Sequence, residues 1–506
     1  MEKHNALVSE IATQVKKFHG SKTPFRIYHG STLSTRPSTK TKSNTVDISS
    51  LSNILRVDTK NKTCLVEPNV PMDALVDATM AKGLLPPVVM ELPNITVGGG
   101  FAGTSGESSS FRCGTFDCTI KSIEIVLGNG EVMTASASDP ETRDVLFGSA
   151  GGCGTLGIVT CLELELREAG KYVELSYWRV NSTSEAVEKL KEAEKDTNVD
   201  YVEGILFSRA SGAIMTGRLT DESTLGRKPQ TFDKARDPWF YIHAEDVLKK
   251  IEDKKEPYKE SIPTKDYLFR YDRGVFWSGT LAFKYFYFPF NALTRYLLDP
   301  FMRTRVVNHA LHRSRLAEKA IIQDLGVPYD GAEEFVQFID EKCGFWPLWL
   351  CPVKAPQALE KKCFWTGRKE LGLPDVLLDI GVWGMGPDDQ TEFIKLNREI
   401  ENKVRELGGL KCLYARAYYT ESEFWNIYDE AWYKSVRRKY NAEGLMNVWD
   451  KVKVDLRGVI EGEKHIEGTG EKRWTLWFGG RLGGVYGLLS AVKGMMFGGD
   501  LLLKRG

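Results

Sequence analysis

The chain has 506 residues, 42% of them hydrophobic, and its 68 Lys and Arg balance 68 Asp and Glu. That length accommodates two or three domains, and zero net charge argues against recruitment of nucleic acid by bulk electrostatics. Nine cysteines, an odd number with no C-x-x-C spacing, argue against a disulfide framework and a structural zinc site, and the seven histidines form no metal cluster.

The first twenty residues are polar and lack the continuous apolar core of a secretory signal. Leu7, Ile11, Val15 and Phe18 instead recur at helical spacing and predict an amphipathic helix packed on the first domain. Residues 96–108 put five glycines and four hydroxyl side chains into thirteen positions, directly after the turn-rich Glu91-Leu92-Pro93-Asn94. Glycine removes the Cβ that blocks close approach, so consecutive amides can converge on phosphate oxygens or the edge of a heterocycle. A phosphorylated cofactor is the ligand this composition suits; an ordinary tight turn is the plainer alternative. No lysine closes the stretch as a P-loop requires, and no clear helix is expected to follow it.

A β-hairpin is predicted next, from residues 123–127 through Gly128-Asn129-Gly130 to residues 131–134. The second glycine-rich stretch, Gly151-Gly152-Cys153-Gly154-Thr155-Leu156-Gly157, runs into an alternating strand over residues 158–166. Two such stretches at strand ends can face one ligand.

Ser182 and Glu185 offer a capping box, with Ser182 as N-cap and Glu185 at N3. Strands are expected over residues 201–207 and 213–217, and a polar loop over 220–237. Residues 281–290 are intensely aromatic and precede Arg303, Arg305, His309, His312, Arg313 and Arg315, a pattern that suits either a lipid interface or a lid over a buried site. His309 and His312 belong to that basic, helix-like surface rather than to a ligand pair. Asp389 and Glu392 open a helix whose Phe393, Leu396, Ile400, Val404 and Leu407 keep helical spacing until Gly408-Gly409. Strands over 376–382 and 411–415 flank it, giving a sheet covered by helices on one face. Residues 474–503 are apolar and glycine-rich, with Lys493 the one charge between Arg481 and Asp500, and read as a peripheral or re-entrant anchor rather than a span.

Residues 20–170 resemble the two-part FAD-binding domain of the vanillyl-alcohol oxidase (PCMH) type. Within that superfamily the chain resembles the delta-24-sterol reductase family. The residues that carry the likeness are Thr96-Val97-Gly98-Gly99, Gly106-Glu107-Ser108-Ser109-Ser110, Glu124-Ile125-Val126-Leu127 and Cys153-Gly154-Thr155-Leu156-Gly157. Beyond them it rests on Tyr271-Asp272-Arg273-Gly274-Val275-Phe276-Trp277, Trp346-Pro347-Leu348-Trp349-Leu350-Cys351-Pro352, Leu413-Tyr414-Ala415 and Glu423-Phe424-Trp425. The implied fold is α+β: an N-terminal amphipathic segment (1–19), a two-subdomain FAD-binding domain (20–170), a mixed α/β substrate or cap domain (171–460) and an apolar tail (461–506). Animal members of the family carry an apolar N-terminal membrane segment that this chain is expected to lack.

The resemblance implies noncovalent FAD held by Thr96, Val97, Gly98, Gly99, Gly100, Phe101, Ala102, Gly103, Thr104, Ser105, Gly106, Glu107 and Ser108, together with Gly154, Thr155, Gly157 and Ile158. It departs from the wider superfamily at residues 28–36, where hydroxyls and Arg36 replace a Gly-Gly-rich diphosphate loop; His29 is the one candidate flavin tether there. NADPH is the implied reductant and a sterol or triterpenoid the implied substrate. Reducing an unactivated alkene needs hydride from flavin N5, a proton donor and a dry aromatic pocket. Tyr271, Asp272 and Glu107 are the candidate catalytic residues, and Phe276, Trp277, Trp349 and Tyr414 the candidate pocket. The alternatives are an FAD-linked oxidase of an alcohol or terpenoid and a flavin-free binding homologue. The expected location is the cytosolic face of the endoplasmic reticulum, held by the tail and the aromatic patch, with no metal or nucleic-acid partner.

Overall fold

A computed structural model describes residues 1–30, 34, 36, 41–223, 226, 228–251, 256–314, 319–356, 363–367, 369–454, 456 and 489. The expected α+β architecture is present, with a cavity between the two large antiparallel sheets; two two-stranded sheets, one of them parallel, accompany them. The predicted amphipathic helix runs over Glu2–Gly20 and buries Val8, Ile11, Ala12 and Val15. Its His4 ring bridges Glu67 Oε1 at 2.8 Å and Glu124 Oε1 at 3.0 Å, tying the helix to the first sheet.

That sheet has five strands in the order Ile54–Asp58, Thr63–Val66, Ile158–Glu165, Ile120–Val126 and Val132–Ser136. The last two form the expected hairpin, in register from Ser122↔Ser136 to Val126↔Val132. Within the first glycine-rich stretch, Val97–Gly103 is a short helix that the sequence reading did not anticipate. Thr96 caps it by accepting the Gly99 amide at 3.1 Å, and Thr104 ends it in the left-handed region at φ 53°. The cap and the packing of Val97 and Phe101 into the core outweigh the low helix propensity of four glycines.

The second sheet has eight strands, in the order Tyr258–Pro263, Tyr172–Val180, Ser211–Thr220, Tyr201–Ser208, Leu348–Lys354, Val376–Met385, Ala320–Val327 and Leu410–Lys411. All neighbours are antiparallel. Period-two alternation divides its faces. Leu350, Ile380, Val382, Ile321 and Leu325 pack under Thr183–Ala193, Ala332–Cys343 and Gln390–Glu406, whose Leu190, Val336, Ile339, Ile400 and Val404 complete one core. Trp349, Val353, Leu377, Asp379, Trp383, Ile322, Asp324 and Gly326 face the cavity instead.

Ser182 caps its helix by accepting the Glu185 amide at 3.0 Å, but Glu185 reaches back to the Asn181 amide at 2.8 Å, one residue beyond the expected box. The strand expected over 411–415 is only Leu410–Lys411. The helix at Gln390–Glu406 is capped by Asp389, as expected. Apart from Leu489, the 474–503 tail lies outside the described residues, as do Arg315 and the side chains of His312 and Arg313. Among the described residues no helix is long and apolar enough to cross a membrane.

Candidate active site

The glycine-rich stretches meet where the Cys153 amide donates to the Ala102 carbonyl at 3.3 Å. Gly151, Cys153 and Gly154 take positive φ of 72°, 51° and 70°, which turns the second stretch sharply beneath the first. Together they form one wall of a cavity of about 450 Å³. Its opposite wall is the open face of the eight-stranded sheet.

Of the residues implied to hold the cofactor, Thr96, Gly98, Gly99, Phe101, Ala102, Gly103, Thr104, Ser105, Gly106, Gly154, Gly157 and Ile158 line this cavity. Val97, Gly100, Glu107, Ser108 and Thr155 do not. A Cβ at Gly100 would meet Met90 Cε at 2.3 Å, so that glycine serves core packing. Thr155 turns its hydroxyl to the Gly152 carbonyl at 2.6 Å and to Tyr433 Oη at 2.7 Å. At Gly103, by contrast, a Cβ would meet nothing within 4 Å.

Beside the second stretch stand Arg26, Arg36 and Lys451, all three at the cavity wall. Arg26 donates to the weak acceptor Met446 Sδ; Arg36 donates to Ser34 Oγ at 2.8 Å and the Leu413 carbonyl at 3.2 Å. Burial and the neighbouring Arg36 charge lower the pKa of Arg26. Cations held close on neutral acceptors fit a diphosphate. Elsewhere on the wall, Asn94 Oδ1, Ser149 Oγ and Glu91 Oε2 are buried without a hydrogen-bond partner, polar atoms placed for a ligand. The open cradle at Gly103, the cations and these orphaned atoms fit FAD.

Phe276, Trp349 and Tyr414 of the expected pocket line the cavity, joined by Trp383, whose ring centroid is 4.1 Å from that of Phe276. Trp277 sits one layer back, with centroids 5.5 Å from Trp383 and 6.3 Å from Tyr241. None of the three candidate catalytic residues reaches the cavity lining. Tyr271 stacks on Phe276 at 3.8 Å but donates its hydroxyl to Glu203 Oε2 at 3.0 Å. Asp272 accepts the Thr304 amide at 3.1 Å and an Arg303 N–H at 3.2 Å. Glu107 accepts Ser108 Oγ at 2.7 Å and the Ser109 amide at 3.0 Å, which is how a carboxylate stabilises a tight backbone turn. Their polar atoms serve the scaffold behind the wall.

Sequence reasoning missed the carboxyl groups that do face the cavity: Glu91, Asp324 and Asp379. Burial pushes Glu91 up to about 8, with Glu107 and Asp324 adding to it. Burial likewise raises Asp324 to about 6 against hydrogen bonds from Tyr414 and Trp383. Asp379 is held well above the usual carboxylate range by burial, then by Asp324 and Glu91. The available signal was a lone carboxylate inside an apolar strand, as in Leu377-Leu378-Asp379-Ile380. Among the described residues no group of His, Cys, Asp and Glu is placed to hold a metal ion.

The FAD binding domain family matches residues 7–136. The chain is 29% identical over 408 residues to Delta(24)-sterol reductase of Homo sapiens, covering 79% of this chain and 76% of that protein. It is 28% identical over 434 residues to the Delta(24)-sterol reductase of Arabidopsis thaliana, covering 81% and 76%. A third relative, the Delta(24)-sterol reductase homolog dhcr-24 of Caenorhabditis elegans, is 28% identical over 428 residues, covering 79% and 77%. Fold, cavity and these matches fit an FAD-dependent oxidoreductase. Over about four-fifths of its length or more the chain is similar to delta(24)-sterol reductases.

Proposed function

We propose that the chain reduces the C24=C25 side-chain double bond of a sterol or sterol-like triterpenoid, with NADPH as reductant and noncovalent FAD as carrier. The observation that carries this reading is the aromatic wall of Phe276, Trp349 and Trp383 facing the glycine-rich cradle across one cavity. FAD, once reduced, supplies the electron pair and one of the two hydrogens. The chain's own residues do the rest. Arg26, Arg36 and Lys451 hold the diphosphate, and Gly103 leaves room for the cofactor's approach. The rings exclude water and offer π faces to positive charge developing on the tertiary carbon. Trp349 is fixed in that wall by donating to Glu203 Oε2 at 2.9 Å.

We propose further that the enzyme works at the cytosolic face of the endoplasmic reticulum, because sterols partition into bilayers. The exposed Tyr287, Phe288, Leu293 and Leu297 supply an apolar surface for contact.

The deciding experiment is anaerobic NADPH oxidation by the FAD-loaded protein, offered a 24-unsaturated sterol against a panel of alcohols. Sterol-dependent oxidation with a saturated side chain in the product is expected; response to an alcohol alone would overturn the reading. Acid denaturation should release free yellow cofactor, and flavin that stays with the pellet would mean a covalent tether, for which His29 at the cavity wall is the candidate.

A further inference from the structure

The open face of the eight-stranded sheet carries two carboxyl groups where an apolar wall would otherwise continue. Asp324 lies opposite Gly381, and Asp379 opposite Gly326. The two acids therefore stand diagonally on adjacent strands, on the same face, within reach of each other's field. On the ladder they share each faces a glycine, and a Cβ at Gly381 would come 3.3 Å from Asp324 Oδ1; on its other side Asp379 lies opposite Cys351.

Their hydrogen bonding differs. Asp324 accepts Trp383 Nε1 at 3.2 Å and the Tyr414 hydroxyl. Asp379 receives the Leu325 amide, and its Oδ1 is buried without any partner. Glu91 faces the same space from the loop before the glycine-rich helix, more than nine-tenths buried and with Oε2 also unpartnered. The nearby cation is already engaged: Lys411 Nζ lies 2.5 Å from Glu401 Oε1 and also donates to the Arg416 carbonyl. Cys412 and Cys351, the latter opposite Asp379 on the next strand, are further titratable neighbours, and burial raises the pKa of both. Arg270, whose charge reaches Glu91, is likewise engaged, by Glu203; with no free cation among them in the described residues, several carboxyls cannot all ionise in a dry cavity, so protons remain on the group.

We infer that Asp379 is the proton donor of the alkene reduction, and that Asp324, oriented by Trp383 and Tyr414, is the positioning residue that keeps it protonated. This rests on the proposed function. The Asp379 O–H bond breaks as a C–H bond forms at the less substituted alkene carbon. The reduced cofactor supplies the second hydrogen with its electron pair, NADPH restores that pair, and solvent returns the proton to Asp379. Burial and the neighbouring carboxyls hold the donor's pKa well above the usual carboxylate range, so that it keeps a proton to give.

The test uses the full-length, FAD-loaded protein and its Asp379→Asn and Asp324→Asn variants. Four readouts are followed: flavin content, anaerobic flavin reduction by NADPH, flavin reoxidation by a 24-unsaturated sterol, and the carboxylic-acid C=O stretch in infrared difference spectra. Asp379→Asn should keep flavin content and reduction by NADPH, slow reoxidation by about 10²-fold or more without raising KM, and lose the protonated-carboxyl band. Asp324→Asn removes a like charge, so it should move the alkaline limb of reoxidation to lower pH. A wild type that NADPH reduces but no sterol reoxidises sinks the functional reading. A wild type that turns over while Asp379→Asn keeps pace within about threefold, or keeps the band, sinks the assignment of Asp379 alone.

Discussion

Glu203 Oε2 accepts the Trp349 indole N–H at 2.9 Å, so a carboxylate on one strand fixes a ring that walls the cavity from the next. The same carboxylate pairs with Arg270 at 2.8 Å and accepts Tyr271 Oη at 3.0 Å. Arg270 continues to Ser108 Oγ at 3.3 Å, and Ser108 donates to Glu107 at 2.7 Å. The chain of bonds joins the end of the first glycine-rich stretch to the eight-stranded sheet, with Arg270 and Glu203 both fully buried. Glu203→Gln would leave the Arg270 cation unpaired and is expected to cost about 3–5 kcal/mol in denaturant unfolding, with Arg270→Met in the same chain recovering part of it. A loss under about 1 kcal/mol would mean water reaches the pair.

Gly103 is the glycine whose missing side chain leaves open space, whereas a Cβ at Gly98 would strike Pro68 Cβ at 2.7 Å. Gly103→Leu is therefore expected to abolish FAD retention while the cofactor-free protein keeps its melting temperature. Gly98→Leu should lower that temperature as well. Stoichiometric flavin absorbance in Gly103→Leu would remove this helix end from the cofactor site.

Thr155 contributes differently. Its hydroxyl joins Tyr433 Oη, which also accepts the Val448 amide at 2.9 Å, and so pins the C-terminal helices to the second glycine-rich stretch. Thr155→Val should cost about 1–3 kcal/mol of stability and leave flavin stoichiometry intact. Lost flavin at unchanged stability would place the hydroxyl on the cofactor instead.

Much of this was legible in sequence because local rules and tertiary context agree there. The Asp389 cap, the Gly128-Asn129-Gly130 hairpin and the spacing of Leu7, Ile11, Val15 and Phe18 each follow from nearest neighbours on a helix or strand. The helix at Val97–Gly103 was not legible, since four glycines argue against one and only packing in three dimensions reverses that. Tyr271 and Asp272 lie in a segment rich in aromatic and charged residues, yet sequence cannot say whether a hydroxyl points to a cavity or to a buried Glu203 sixty-eight positions away. Asp324 and Asp379 converge through strand register, which a single chain does not reveal.

The raised carboxyls set a pH dependence of stability. Glu91 and Asp324 hold protons in the folded protein up to about 8 and about 6, whereas unfolded carboxyls release theirs near pH 4. Between those limits the native state binds more protons than the unfolded chain, so this contribution is complete at low pH and is lost as pH rises through the folded values. Glu91→Gln removes the largest part that titrates in the neutral range. In cofactor-free protein its melting temperature, relative to wild type, should climb between about pH 5 and pH 8. A difference that stays flat across that range would show Glu91 ionised in the folded state.

The surface between Tyr287 and Leu297 brings substrate supply into the same geometry. Tyr287, Leu293 and Leu297 are 71%, 66% and 62% exposed, unusual for large apolar residues so close in sequence. Arg295 lies 4.9 Å over the Phe290 ring, a cation beside an apolar face, as at a boundary of lipid tails and anionic head groups. The flanking helices Ser278–Phe286 and Thr304–Ser314 contribute Ser278 and Val307 to the cavity wall, so a bilayer touching this surface would lie next to the site. Half-burial of three such side chains is worth about 2–4 kcal/mol, or roughly 30- to 700-fold in partitioning. Changing Tyr287, Leu293 and Leu297 together to Ser should weaken co-sedimentation with phosphatidylserine-containing vesicles by that order, with flavin content unchanged. Deletion of residues 474–506 in parallel tests the tail. If the triple variant sediments like wild type and only the deletion is released, this surface is not the membrane contact.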